Sequence, residues 1–230
     1  MKPWRQALWC IGQITAEYRE RMYALCDLYA RPYDPQEPVV CVDEKSKQLL
    51  ASSRPPVAAG PGQIAKEDYE YRRAGPRNIF VAVEPLGGHR EVAVTARRTK
   101  ADFVFFICGL LCTVYAEARK VHLVLDNLNT HFAASFVEVL GPALAEWMLG
   151  RIEFHSTPKH ASWLNMAELE IGILEKQCTG RRLASEALLA SEVAAWQHRR
   201  NRQKRGIHWT FTREKADQKL GRHYLDMSLN

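Results

Sequence analysis

The chain lacks a closely spaced cysteine pair. Its six cysteines, Cys10, Cys26, Cys41, Cys108, Cys112 and Cys178, include no CxxC and no histidine at ligand spacing. That argues against a cysteine-bound zinc and against a disulfide framework. Cys108 and Cys112, four apart in an apolar helical stretch, read as buried thiols acting as small hydrophobes. A membrane-length apolar run is also missing. The longest, FVFFICGLLCTVYA, falls short of the roughly 20 residues that a span needs. The start, MKPWRQALWC, has no signal-peptide h-region, and neither internal repeats nor low-complexity segments occur. Together these absences predict a protein of the reducing cytoplasm with no membrane partner.

What the chain does have is a core and an excess of basic charge. It counts 230 residues, 47% of them hydrophobic and 25% charged, as expected for one globular domain or one domain with a small appendage. The formal net charge is +6, and the sequence pI is about 9.0. The excess is clustered: Arg72, Arg73 and Arg77; Arg97, Arg98 and Lys100; Arg181 and Arg182; and Arg199, Arg200, Arg202, Lys204 and Arg205. Any single cluster reads as a solvated helix face. Their recurrence points toward a polyanion such as nucleic acid, although no base-reading motif is recognisable.

Patterning predicts the element order. TAEYRERMYALCDLYAR, residues 15–31, has helical spacing and stops near Arg31 and Pro32. VVCVDEK reads as a strand buried on both faces. Residues 51–77, rich in proline and glycine, read as a long irregular excursion. NIFVAVE and REVAVTA, joined by PLGGH, suit a hairpin. Residues 100–119 look like a buried helix, VHLVLD like a strand, NTHFAASFVEVLGPALAEWM like a helix, RIEFH like a short strand and LNMAELEIGILEKQC like another helix. The basic helix SEALLASEVAAWQHRRNRQKR follows. Three strands that could form a meander, then two strand-helix units, predict an α/β fold: a mixed five-stranded sheet flanked by helices, in the ribonuclease H-like order.

Asp43 and Asp126 each end an apolar strand, where open α/β sheets tend to place ligand and catalytic groups. For one such aspartate, capping a turn is the simpler reading; two matching strand ends suggest a pair. Two carboxylates held close imply a raised pKa or a shared cation. Oxygen-only donors favour Mg²⁺ or Mn²⁺ over zinc. A third acid comes from the helix after STPKHASWLN. On a helical wheel, Leu164, Ala167, Ile171, Leu174 and Cys178 form an apolar face with Glu168 on one flank and Glu170 on the other, and the wheel does not choose between them. Met166, Leu169 and Ile173 make a second apolar patch, which suggests that the helix is covered twice.

In this order CVDEKS, EPLGG, RRTKADF, LVLDNLNTH and STPKHASWLNMAELE resemble the catalytic domain of DDE transposases of the mariner superfamily, and most of all the bacterial insertion sequence 630 group. The resemblance spans almost the whole chain. It implies Asp43, Asp126 and Glu168 as the catalytic and metal-holding acids, and thereby selects Glu168 over Glu170. It further implies two Mg²⁺ ions, with Mn²⁺ as substitute, and Asp43 bridging them. Strand cleavage at transposon ends to leave a 3′-OH, followed by direct transesterification into target DNA, is the expected reaction. Double-stranded DNA and a homodimer are the expected partners, and the bacterial nucleoid is the place of action. Family members carry an N-terminal helix-turn-helix region; here residues 1–30 are expected to be a helix and linker remnant of it, and residues 31–230 the catalytic domain. The alternative is a truncated, non-catalytic transposase that binds DNA or full-length copies and regulates transposition.

Around the acids, Asn127, Asn129, His131, His160 and Asn165 are candidates to orient a carboxylate or position phosphate, while Asn129 could equally cap a helix. Arg72, Arg73 and Arg77, beside the excursion, are candidate phosphate contacts on a mobile loop, and Arg199, Arg200, Arg202 and Lys204 are another such surface. His122, His155 and His208 are read as lone structural histidines.

Overall fold

In the computed structural model, residues 14–55, 57–66, 68–126 and 133–225 are described. The first helix, α1 (Ala16–Ala30), begins where the Thr15 hydroxyl accepts from the Tyr18 N–H at 3.1 Å, and it ends at Arg31, just before Pro32. Three strands follow: β1 (Val39–Ser52), β2 (Tyr71–Glu84) and β3 (His89–Thr95). Next come α2 (Lys100–Cys112), β4 (Val121–Leu125), α3 (Ala133–Leu140), α4 (Pro142–Leu149), β5 (Ile152–Ser156), α5 (Met166–Leu174), α6 (Glu186–Gln203) and α7 (Arg213–Leu220).

The sheet has five strands in the order β3-β2-β1-β4-β5. β2 is antiparallel to both β1 and β3, while β4 runs parallel to β1 and to β5. Both faces are covered, which explains the near-continuous apolar runs of β1 and β4. On one face Val40, Val42, Phe80, Leu123 and Leu125 pack against Phe103, Ile107 and Leu111 of α2 and against Phe136 of α3. Cys41, Val83 and Val124 on the other face meet Met22, Leu25 and Leu28 of α1, Met166 and Ala167 of α5, and Leu220 of α7. Farther out on that second face, Leu49, Ile79 and Val81 are covered by Leu189, Val193 and Trp196 of α6. Each fully buried Phe or Leu side chain of these clusters contributes roughly 1.5–3 kcal/mol.

The observed elements depart from the sequence expectation where backbone chemistry outweighs periodicity. β1 does not stop near Lys45 but runs to Ser52, and β2 starts at Tyr71, inside the stretch expected to be irregular. The two form a long antiparallel arm in which Leu50 pairs with Arg73 and Ala51 with Arg72. Pro76 is accommodated beside a register shift between Gln48 and Leu50, as expected for a residue that cannot donate to a ladder. Arg72 and Arg73 therefore stand on a strand, not on a mobile loop.

The single helix expected between Asn129 and Met148 is two helices. Gly141, with φ of 77°, and Pro142 divide it, because proline suits only a first helical turn. α2 ends at Cys112, seven residues before the expected stop. Cys112 is exposed and Cys108 half-buried, so this pair is not a buried thiol pair. Among the described residues no helix is long and apolar enough to cross a membrane.

Gly88 closes the β2-β3 turn with φ of +69°, and a Cβ there would lie 2.8 Å from the Lys204 carbonyl oxygen at the end of α6. Gly141 has open space around it. Gly141→Ala should therefore cost about 1–3 kcal/mol, from backbone strain at positive φ alone. Gly88→Ala should cost more, because the backbone of α6 must also give way. Urea unfolding of the two variants measures the difference.

Candidate active site

Asp43 and Asp126 converge because of strand register. β1 and β4 are parallel with Cys41 opposite Val124, and each aspartate lies two residues beyond its member of that pair. Residues two apart on a strand share a face, so Asp43 leaves the face that carries α1, α5 and α7, and Asp126, one residue past the end of β4, lies near enough to act on its carboxylate. β1 continues past Asp43 whereas β4 ends at Leu125. The first acid is thus mid-strand, not at a strand end as its sequence suggested. It is 8% exposed.

The third acid arrives on α5. Asn165 is completely buried and caps this helix: its Oδ1 accepts from the Ala167 N–H at 3.1 Å, and its Nδ2 donates to the Val42 carbonyl at 2.8 Å. One side chain thereby pins the N-terminus of α5 to β1, one residue before Asp43. Tyr29 of α1 steadies the preceding turn by donating from its hydroxyl to the Leu164 carbonyl at 2.8 Å. Glu168 lies in the first turn of α5, where the helix dipole favours a carboxylate, and its side chain is exposed.

Glu170 does something different. It is fully buried, with Arg200 Nε donating to Oε1 at 2.9 Å and Arg90 Nη2 to Oε2 at 3.1 Å. These contacts lock the rotation of α5 between β3 and α6, leaving Glu168 on the side of the aspartates. Of the two glutamates that flank the apolar face of α5, Glu170 is thus taken up by arginines and Glu168 is the one that acts on Asp43. Arg200 is accordingly an internal ion-pair partner and not part of a phosphate surface. The expected second apolar patch on α5 is split: Met166 is buried and Leu169 is 51% exposed.

Electrostatics records the convergence. Burial, followed by the carboxylates of Glu168, Asp126 and Glu44, pushes Asp43 up to about 7 from an ordinary 3.8, against the opposing hydrogen bond from the Glu44 N–H at 2.8 Å. Burial is the larger cause and the neighbouring acids add to it; the three carboxylates do not all lie within 4.8 Å of one another, so a cation held there would draw them closer. The oxygen donors of the three carboxylates fit Mg²⁺ or Mn²⁺.

The remaining candidates divide. His160 is exposed with φ of 64°, in the turn that leads to the Ser162–Leu164 helical turn. Asn165 acts by positioning α5 and, being fully buried, is not a DNA contact. Asn127, Asn129 and His131 lie outside the described residues. Arg72 and Arg73 are exposed on the β1-β2 arm, while Arg77 is held by Glu186 at 2.5 Å.

A five-stranded mixed sheet with helices on both faces and acids gathered beside its central strands is the ribonuclease H-like architecture. The family described as DDE superfamily endonuclease matches residues 38–189, well over half of the chain, and the chain belongs to it. Among solved structures it is similar to the Mos1 transposase paired-end complex with left transposon end, with a TM-score of 0.58 and 17% identity over 96% of this chain and 67% of that one. A pre-cleavage Mos1 transpososome matches with a TM-score of 0.58 and 16% identity over 96% of this chain and 68% of that one. The Mos1 mariner paired-end complex with Mn matches with a TM-score of 0.57 and 15% identity, over 95% and 66% of the two chains. The chain thus spans about two thirds of the length of these structures. No curated protein matches it.

Two outcomes follow from the geometry. Glu170→Ala leaves Arg90 and Arg200 buried without their shared carboxylate and should cost about 3–5 kcal/mol, whereas exposed Glu168→Gln should stay within about 0.5 kcal/mol; denaturant unfolding reads both. Asp43 has a folded pKa above its unfolded one, so its contribution is most favourable below pH 3.8 and is lost as pH rises to about 7. In metal-free buffer, Asp43→Asn should therefore raise the melting temperature at pH 8, with the gain shrinking as pH falls toward 4.

Proposed function

We propose that this chain is the catalytic domain of a transposase of the insertion sequence 630 group, acting on double-stranded DNA through Asp43, Asp126 and Glu168. The supporting observation is that two aspartates from adjacent parallel strands and the first-turn glutamate of a helix pinned to one of those strands share one sheet face, in a member of the DDE endonuclease family. The three acids would hold two divalent ions, Mg²⁺ with Mn²⁺ as substitute. Ions bound there would supply charge neutralisation and Lewis acidity for in-line displacement at phosphorus.

The protein's own part is placement. β1 and β4 aim Asp43 and Asp126 from a rigid sheet, and Asn165 keeps α5, with Glu168, at a fixed distance from them. Arg72 and Arg73 on the arm, and Arg199 and Arg202 on the exposed side of α6, offer positive charge to a phosphate backbone. The reaction assigned to the site is hydrolysis of a phosphodiester at a transposon end to leave a 3′-OH, which then attacks target DNA by transesterification. Related Mos1 structures are described as paired-end and strand transfer complexes, and we assign a dimeric DNA complex to this chain by analogy. Residues 31–230 form the proposed catalytic unit, acting in the cytoplasm at the nucleoid, with residues 1–30 as its N-terminal helix and linker.

Supercoiled plasmid with Mn²⁺ or Mg²⁺ tests this reading. Wild type should nick it in a chelator-sensitive reaction, and Asp126→Asn should reduce the rate by about two orders of magnitude or more, roughly 3 kcal/mol of barrier. Equal nicking by both proteins overturns the catalytic assignment. Absence of nicking by wild type, with DNA binding retained, favours the regulatory, non-catalytic alternative.

A further inference from the structure

The sheet face that carries the acids holds a second group of ligand atoms. His122 on β4 and Glu153 and His155 on β5 each bring a donor atom within 4.8 Å of the others. β4 and β5 are parallel, with His122 opposite Glu153 and Val124 opposite His155, so the three side chains leave the same face. His122 Nδ1 and His155 Nε2 are 3.0 Å apart. Glu153 Oε2 is 3.7 Å from His122 Nδ1, and its Oε1 is 3.5 Å from His155 Nε2. With metal-nitrogen bonds of about 2.0–2.1 Å, the edge of a coordination tetrahedron is about 3.3 Å. The three separations bracket that value.

We propose that His122, Glu153 and His155 bind one transition-metal ion of the zinc class, at a site distinct from the acids of the active site. Two imidazoles select zinc, nickel or copper over magnesium. His122 lies three residues before the end of β4 at Leu125, about 10 Å along an extended strand, and Asp126 follows that end, so an ion held here is not one of those held by Asp43. The histidine side chains are 5% and 18% exposed, and Glu153, at 47%, is free to swing onto an ion.

The surroundings fit a bound cation. Arg31 Nη1 lies 2.8 Å from His122 Nε2 and donates to it, so Nδ1 carries the ring proton and donates to His155. Ligation through Nδ1 moves that proton to Nε2, where Glu37 Oε2 at 3.8 Å is the acceptor in reach; a carboxylate behind a ligating histidine is a common second partner. Arg31 loses one contact and keeps Glu37 at 3.0 Å, a carboxylate that it shares with Arg119, and Arg21 has Glu17 at 2.8 Å. Lys120, 3.8 Å from Glu153, is the cation an ion would displace. A cavity of about 310 Å³, lined by Arg21, Ala24, Leu25, Phe154, His155 and Ser156, leaves room for a water as fourth ligand.

The site should be read without reference to DNA cleavage. Tag-free protein is titrated with Co²⁺, the visible stand-in for Zn²⁺, in excess Mg²⁺, and then with Zn²⁺ in competition with a chelating dye. We expect one equivalent with the intense visible bands of four- or five-coordinate cobalt, displaced by Zn²⁺ and retained in Asp126→Asn. His155→Ala and the surface variant Glu153→Gln should each weaken binding at least tenfold while keeping a wild-type circular dichroism spectrum; Glu153→Gln carries the test if His155→Ala unfolds. No cobalt equivalent, binding unchanged by Glu153→Gln, or binding lost in Asp126→Asn overturns the proposal.

Discussion

One buried amide governs the geometry of the acidic site. Asn165 bonds the Val42 carbonyl with its nitrogen and the Ala167 N–H with its oxygen, so the start of α5 cannot shift without breaking contacts to β1. Loss of either leaves a buried polar group unpaired, at a cost of about 1–3 kcal/mol. Since Asp43 follows Val42 and Glu168 follows Ala167, the spacing between first and third acid is inherited from this link. The second acid needs no such device, because the parallel ladder of β1 and β4 sets its place directly.

Rotation of α5 is a separate constraint and is met by charge. Glu170 between Arg90 and Arg200 is a buried ion-pair triad, an arrangement that contributes little net stability but is costly to break. It joins β3, α5 and α6. The same contact removes Arg200 from the surface and ends any ambiguity over which glutamate of α5 faces the aspartates. Burial, with repulsion from the neighbouring acids added to it, raises the pKa of Asp43.

Much of this was legible in the sequence. The apolar runs of β1 and β4, each followed by an aspartate, revealed the sheet and marked two candidate acids, because burial on both faces leaves an unmistakable composition. The β1-β2 arm was hidden: Pro76 and Gly75 read as breakers, while cross-strand pairing with Gln48 and its neighbours overrides them. The wheel of α5 could not separate Glu168 from Glu170, since the deciding partners, Arg90 and Arg200, are remote in sequence. His122 and His155 read as solitary for the same reason. They meet only when β4 and β5 pair, and no spacing rule within one strand reports a contact between two.

The central claim is that Asp43, Asp126 and Glu168 form one cation site on one face of the sheet. Titration of Mn²⁺ into the full chain, followed by electron paramagnetic resonance of the free ion, tests it without any assumption about DNA. Wild type should bind Mn²⁺ more weakly as pH falls below about 7, as protons compete at Asp43. Asp43→Asn and Glu168→Gln should each weaken binding at least tenfold. Undiminished Mn²⁺ binding in Asp43→Asn contradicts the account.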